Sequence, residues 1–498
     1  MLVHSKFVVT YIFLCKTRSV NRICHIHMVF MVCAIVFTVS LETIVLSALT
    51  RHEVRGIVEI HHVAFPKGLG MRKDLFKRLE ASAATGLFTQ FYGNNSDMEF
   101  QLNRYNNLLI HHMNLYSLQP HDELRFYSTA GRTELAGNHT DHNHGKVIAA
   151  SINLDTIAAV SKGEKTIVSV ISEGFEPVEV DYTILEPLEN EKGTTFALVR
   201  GIVAGFAARG YAIGPFKAVT STRVLKGSGL SSSAAIEMMC ATILNDLYND
   251  NRISIVDMAI ICKEAENNYF GKPSGLMDQI ACGNGGIAHI DFGNPERPKV
   301  TALHCDFQSH GYDLVVVDTK GNHADLTHEY AAVPDEMRAV ASYFGASALR
   351  EVEHHRFIDH VGRMRTAINN DRALIRAFHF LEENRRVDAM AEALMKQDIA
   401  TYLELVQASG NSSFMFLQNL YSSSAVTDQP LPVALAATQS FLAGKGACRV
   451  HGGGFAGTIQ SYIPRDMTKA YIAYMQTIFG NGCATVLAIR DVPTRRVC

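Results

Sequence analysis

The sequence predicts an α+β fold. Two observations carry that expectation. Strand-like and helix-like stretches intermix from Met71 to the C-terminus, and they lack the strict βαβ alternation of a doubly wound sheet. A third observation sets the scale. The chain has 498 residues, 47% hydrophobic and 19% charged. It can therefore bury a large core, unlike a disordered chain of low hydrophobicity and high net charge. At about 150 residues per domain, this length accommodates two large domains or three ordinary ones.

In chain order, Met71 opens an amphipathic helix with Leu75, Leu79, Ala83 and Leu87 on one face. Further helices are predicted over 198–209, closed by Gly210 in a C-cap position, and over 234–248, 255–269 and 372–395. Residues 216–225 are rich in β-branched side chains, and Tyr312–Asp318 (YDLVVVD) centres on a Leu-Val-Val-Val run, so both read as strands. Asn294, Pro295 and Pro298 precede the second of these, which places a domain boundary within 293–312. No internal repeat or low-complexity tract interrupts the pattern.

Residues 1–70 differ from the rest. Residues 28–39 are unbroken apolar sequence, and 40–49 continue it with Glu42 as the one charge. Lys6, Lys16, Arg18 and Arg22 form a basic flank upstream. A span of about 20 apolar residues would cross a bilayer, so one reading is a membrane or targeting segment. Glu42 interrupts that span, and no small-x-small cleavage site follows it. The favoured reading is a mis-assigned start, with the working protein beginning at Met71.

The 46 basic and 49 acidic side chains give a net charge of −3, which argues against nucleic acid as the main partner. Ten cysteines are scattered without a C-x-x-C pair, the pattern of free buried thiols in a reducing compartment, and a cytoplasmic location is expected.

Three stretches carry chemistry. The first is GSGLSSS, made of Gly227, Ser228, Gly229, Leu230, Ser231, Ser232 and Ser233, which runs into a helix. Glycines let backbone N–H groups approach an anion, and a helix N-terminus supplies about half a positive charge. Serine hydroxyls there suit phosphate oxygens or a Mg²⁺ shell shared with phosphate. A serine-capped core helix behind a tight turn is the competing reading. The second is GRTELAGNHTDHNHG at 131–145, a polar cluster that is costly to bury unless it lines a ligand site. His139, His142 and His144 with Asp141 have the residue types of a zinc or iron site. The same Asn, His and Asp residues also suit a polyol, with Arg132 beside a developing negative charge, and a solvated loop is the third reading. The last stretch is HGGGFAG at 451–457, where backbone passes close to a ligand or to another loop. Between these lie Glu266 and Asp278, which a Lys-Pro-Ser-Gly turn can return to one cleft. One carboxylate would then hold Mg²⁺ and the other take a hydroxyl proton.

Together, and in their chain order of 131–145, then 227–233, then 451–457, the three stretches resemble the signature motifs of the galactokinase branch of the GHMP kinases. The resemblance runs from about Met71 to the end and includes GLMDQ, HEY at 328–330 and RAFHFLEENRRV at 376–387. It implies a two-domain GHMP kinase architecture, with a ribosomal-S5-domain-2-like N-terminal domain at 71–300 and a ferredoxin-like C-terminal domain at 301–498. The implied activity is ATP- and Mg²⁺-dependent phosphorylation of galactose at its C1 hydroxyl. The resemblance assigns Gly227–Ser233 to the ATP phosphates and Ser233 and Glu266 to Mg²⁺. Asp278 becomes the general base, and Arg132 stabilises the transition state and keeps Asp278 ionised. Asn138, His139, Thr140 and Asp141 would contact the sugar, with Tyr330 packed nearby.

The chain also departs from the family pattern. Glu134 stands where the family has Asn and Asn138 where it has Glu, and His142 replaces a common Tyr. A neutral amide at 138 changes both charge and hydrogen bonding, which bears on sugar choice. Ala456 replaces a glycine in the third motif. Arabinose, N-acetylgalactosamine and a catalytically silent sugar- and ATP-binding regulator therefore stand as alternatives to galactose phosphorylation. The sequence assigns no oligomeric state.

Overall fold

The computed structural model describes residues 69–498 apart from 94–95, 117–122, 225–228, 273 and 322–325. The apolar stretch at 28–49 lies outside the described residues, and so do Gly227 and Ser228. Pro66–Cys498 forms one compact unit.

Three N-terminal helices, α1 (Leu69–Ala84), α2 (Leu87–Tyr92) and α3 (Met98–Leu115), come first. The amphipathic run expected from Met71 through Leu87 is thus two helices, because the chain turns at Gly86 in left-handed geometry. A long hairpin follows, β1 (Leu124–Ala136) and β2 (Lys146–Lys162), then β3 (Ile167–Ser172) and β4 (Val178–Asp181). Next come α4 (Thr195–Ala208), β5 (Phe216–Thr222), α5 (Ser232–Tyr248) and α6 (Ile255–Glu264). Helix α6 was expected to reach residue 269; it gives way instead to a π turn over Ala265–Phe270. Helix α7 (Met277–Asn284) and the strands β6 (Ile287–Asp291) and β7 (Lys299–Leu303) complete this half. The strand expected over 216–225 stops at Thr222.

The second half holds β8 (Tyr312–Asp318), α8 (Thr327–Tyr343), α9 (His354–Ile368), α10 (Asp371–Met395) and α11 (Ile399–Ser412). After them come α12 (Pro430–Leu442), β9 (Ala447–His451), β10 (Thr458–Pro464), α13 (Thr468–Phe479), β11 (Ala484–Leu487) and β12 (Arg495–Arg496).

The strands form an eight-stranded sheet in the order β12-β1-β2-β5-β3-β4, with β6 on the first half of β2 and β7 on β6, and a four-stranded sheet β11-β8-β10-β9. All pairings are antiparallel except β3 with β5. This is the expected α+β class. The proposed changeover at residue 300 falls inside β7, which still pairs with β6 of the first sheet. The second sheet begins only at Tyr312, and the C-terminal residues return to the first sheet through β12.

Apolar residues of α4, α5, α6 and α7 share one core cluster with β1 and β2, among them Val203, Met238, Ile261 and Ile280. Phe88, Phe91 and Tyr105 from the N-terminal helices pack with Phe126 and Ile157 in a separate cluster. A buried charge ties that layer down. Asp155 on β2 accepts from Arg104 at 2.8 Å, Tyr92 at 2.8 Å and Ser128 at 2.6 Å, and Arg490 lies 3.9 Å away. Seven of the cysteines are described, all free and buried or half-buried. Among the described residues, no helix is long and apolar enough to cross a membrane.

Candidate active site

Strand β1 delivers the first functional residue. Its pairing with β2 slips between Ala130 and Arg132 and again between Glu134 and Ala136. Such bulges re-aim side chains. At the first, the Arg132 N–H donates to the Leu230 carbonyl at 3.1 Å, so the strand edge lies against the glycine-serine loop. The Arg132 guanidinium, 8% exposed, donates from Nε to Asp278 Oδ1 at 2.7 Å and from Nη1 to the Gly229 carbonyl.

The glycine-serine loop ends at the start of α5. Gly229 has φ +67, and a side chain there would press on His451 and Thr458. Ser231 caps the helix in left-handed geometry, and its hydroxyl donates to Asp278 Oδ2. Ser233, in the first helical turn, is half-buried. Asp278 therefore receives one donor on each oxygen. Its side chain stays 31% exposed, and each oxygen keeps a lone pair for a substrate hydroxyl. Burial pushes its carboxyl upward, but Arg132 and Ser231 outweigh that and hold it below the usual carboxylate range.

Gln279, the next residue on α7, turns to the second carboxylate. Its Nε2 donates to Glu266 Oε2 at 2.8 Å and to Glu237 Oε2 at 3.1 Å. Glu266 is supplied by the π turn, a local widening often found at functional sites. The Lys272 ammonium lies 3.3 Å from Glu266 Oε1. Glu237 Oε1 and Gln279 Oε1 are buried without a hydrogen-bond partner. Two buried acidic side chains with two orphaned oxygen acceptors between them and Gln279 suit a hard, oxygen-seeking dication such as Mg²⁺.

The polar signature loop divides in two. Asn138 and Thr140 are fully buried and face the protein. Thr140 Oγ1 donates to the Lys146 carbonyl at 2.6 Å, closing the loop. Asn138 Nδ2 donates to Glu134 Oε1 at 3.1 Å and to the Gly452 carbonyl at 2.6 Å, and its Oδ1 accepts from Asn419 at 2.7 Å and Ser413 at 3.3 Å. Its hydrogen-bonding capacity is filled. The sugar contacts expected of Asn138 and Thr140 are thus replaced by structural ones in this conformation. His139 and Asp141 are half-buried. His139 Nε2 lies 2.8 Å from the Gly453 carbonyl. A carbonyl only accepts, so Nε2 carries the proton and Nδ1 is left as an acceptor. Burial lowers this imidazole to about 4, so it is neutral near pH 7. A side chain at Gly275 would strike the Asp141 carboxylate, so only glycine leaves that carboxylate in place.

The histidines do not converge on a metal. His139 holds the Gly453 carbonyl, His142 is exposed, and among the described residues no three His, Cys, Asp or Glu side chains are grouped to bind one. Tyr330 lies over the third glycine stretch, donating its hydroxyl to the Gly454 carbonyl at 2.8 Å and meeting Phe455 edge-on at 5.3 Å. Ala456 does not adopt positive φ, so the missing glycine costs nothing there.

Several supporting residues escaped the sequence reading. Arg449, fully buried, donates to Glu134 Oε1 at 2.5 Å. His379 Nε2 holds the Asn138 carbonyl at 3.0 Å, and Glu383 Oε1 accepts from the Gly137 N–H at 3.2 Å. His451 bridges Thr133 and Thr458, each at 3.0 Å. His379 and Glu383 lie in the 376–387 segment already singled out, and Gln279 in GLMDQ; their spacing carried no signal of their roles.

Residues 197–286 match the GHMP kinases N terminal domain, and 112–162 match the galactokinase galactose-binding signature. A galactokinase of Actinobacillus pleuropneumoniae is 28% identical over 351 residues, 68% of this chain and 85% of its own. One from Clostridium beijerinckii is 29% identical over 358 residues, 70% and 87% respectively. Among solved structures, Lactococcus lactis galactokinase complexed with galactose superposes with a TM-score of 0.68 at 21% identity, over 78% of this chain and 99% of that one. Methanococcus jannaschii mevalonate kinase gives 0.53 at 13% identity, over 74% and 99%. The fold is that of the GHMP kinases.

Proposed function

We propose that this chain, which has the GHMP kinase fold and carries that family's N-terminal domain beside a galactokinase signature, is a sugar 1-kinase that transfers the γ-phosphoryl group of ATP to the C1 hydroxyl of galactose. The observation that carries this reading is the Arg132–Asp278–Ser231 cluster at the N-terminus of α5, with the His139–Asp141 loop alongside. Phosphoryl transfer passes through a loose transition state and asks the protein for positioning and charge stabilisation. The loop from Gly227 to Ser233 and the helix N-terminus receive the phosphates. Mg²⁺ bound at Ser233 and Glu266 would neutralise phosphate charge. His139 and Asp141 orient the sugar, with Tyr330 at the rim. As the C1 oxygen bonds to phosphorus, the bridging oxygen leaves with ADP, and the hydroxyl proton passes to Asp278. An ionised Asp278 of lowered pKa is a weak base, but a loose transition state releases the proton late, so orientation matters more than basicity. Arg132 steadies the charge on the transferring group.

The exchanged pair at 134 and 138 leaves galactose the favoured acceptor, because Asn138 is bonded to Glu134 and the carboxylate stays within the pair. N-acetylgalactosamine and arabinose are the competing acceptors. Two domains meeting within 293–312, and a cytoplasmic location, complete the reading.

Asp278→Ala tests it. Turnover is expected to fall by about 10²–10⁴-fold or more, while ATP affinity stays near that of the parent chain. A kcat close to the parent value would remove Asp278 from the mechanism. Parent chain that binds sugar and ATP without turning over would instead identify a silent regulator.

A further inference from the structure

We propose that Lys272 is a phosphate-binding residue of this site, whose ammonium rests on Glu266 in the nucleotide-free protein and moves onto the terminal phosphate oxygens when nucleotide binds. The proposal rests on the kinase reading above and adds a residue to it.

The backbone fixes where the lysine starts. The N–H groups of Gly271 and Lys272 both donate to the Glu266 carbonyl, at 2.9 and 3.0 Å, at the end of the π turn. The Lys272 stem therefore rises directly beside Glu266. Its Nζ lies 3.3 Å from Glu266 Oε1, yet the lysine side chain is 56% exposed while Glu266 is 5% exposed. One end of the pair is fixed and buried; the other is long and open to solvent. Glu266 shares the Gln279 amide with Glu237, and Gln279 directly follows Asp278 on α7, so the lysine is anchored at the edge of the reacting centre.

The charge balance points the same way. Asp278 and the buried Glu266 carboxylate are already supplied from either side of Gln279's turn of α7, and the arriving nucleotide adds several more negative charges. Arg132 is already held by Asp278 and the Gly229 carbonyl, which keeps its planar fork in place. Lysine is a compact charge with three rotatable donors and suits oxygens that shift during the reaction. Once a dication takes Glu266, the ammonium loses that partner, and the phosphate oxygens become its natural acceptors.

The test is calorimetric titration of the full-length chain, in Mg²⁺ buffer without sugar, with ATP and, separately, AMP, comparing the parent with Lys272→Met and Lys272→Arg. Met keeps the stem and removes the charge, and the exposed position should tolerate it. The expected result is an ATP affinity lowered about tenfold or more in Lys272→Met, unchanged AMP affinity, and near-parent ATP affinity in Lys272→Arg. Mg²⁺ titrated into Lys272→Met should also reach half-saturation at lower concentration, because a competing ammonium is gone. ATP binding by Lys272→Met at parent strength would overturn the proposal. So would an equal loss of ATP and AMP, which marks a lysine that only orders the backbone beside Glu266. A parent chain that binds no nucleotide at all would overturn the kinase reading itself, and the proposal with it.

Discussion

Asn138 and Glu134 show how a substitution that looks like a lost sugar contact can be a rearrangement inside the protein. The two side chains bond to each other at 3.1 Å, and Glu134 also accepts from buried Arg449. Relative to the family pattern, the amide and the carboxylate have traded ends of one pair. Arg449 Nε and Nη1 already lack partners, so its remaining link to Glu134 matters. Glu134→Asn should therefore destabilise by about 3–5 kcal/mol, the cost of leaving a buried charge unpaired. Asn138→Glu should also destabilise, since two adjacent carboxylates cannot both ionise easily. The double variant should recover much of the loss. Urea melts of all four proteins give the coupling, and singles that simply add up to the double would contradict the paired arrangement. The sequence exposed the exchange but not its meaning, because the contact that explains it, Arg449, lies 315 positions away.

Among the elements, α10 does work that its amphipathic pattern conceals. His379 and Glu383, one turn apart, reach the backbone of the signature loop at Asn138 and Gly137. Burial pushes the Glu383 carboxyl up, but His379, Arg386 and Arg449 override it and hold it at about 2. A carboxylate depressed in the folded state adds stability above its unfolded pKa of about 4.5, and that stability is lost as pH falls from there toward 2. Glu383→Gln should melt earlier near pH 7 and show a flatter acid limb between pH 4.5 and 2. Thermal melts across that range check it, and an unchanged acid slope would contradict the assignment. The sequence revealed α10 within a residue at its start, and α5 within two, because long periodic helices announce themselves. It missed the π turn that carries Glu266, since five-residue and four-residue repeats look alike over so short a stretch.

For the whole molecule, the buried Asp155 cluster joins the N-terminal helices to the returning C-terminus. Tyr92 and Arg104 on one side and Arg490 on the other meet at a single carboxylate. Among the described residues, the packed side chains of this layer begin at Leu75. A chain shortened to Met71–Cys498 retains every described side chain of that layer and is expected to keep its melting temperature and turnover, whereas removal through Leu115 leaves Asp155 without Arg104 and Tyr92 and should prevent folding. Circular dichroism melts distinguish these, and loss of structure in the Met71 variant would contradict the expectation. The return of β12 to the first sheet was not legible from sequence, because Arg495 and Arg496 pair with Ser128 and Tyr127 far upstream and no local pattern specifies it. The three glycine-bearing stretches were legible, because close backbone approach requires glycine wherever the partner lies.

Phosphoryl transfer to a sugar anomeric hydroxyl is tested most directly by ³¹P NMR of the full-length chain with ATP, Mg²⁺ and galactose, run beside N-acetylgalactosamine and arabinose. The predicted result is equimolar ADP and galactose 1-phosphate, absent with Asp278→Ala. Binding of both ligands with no phosphorylated sugar in any sample would contradict it.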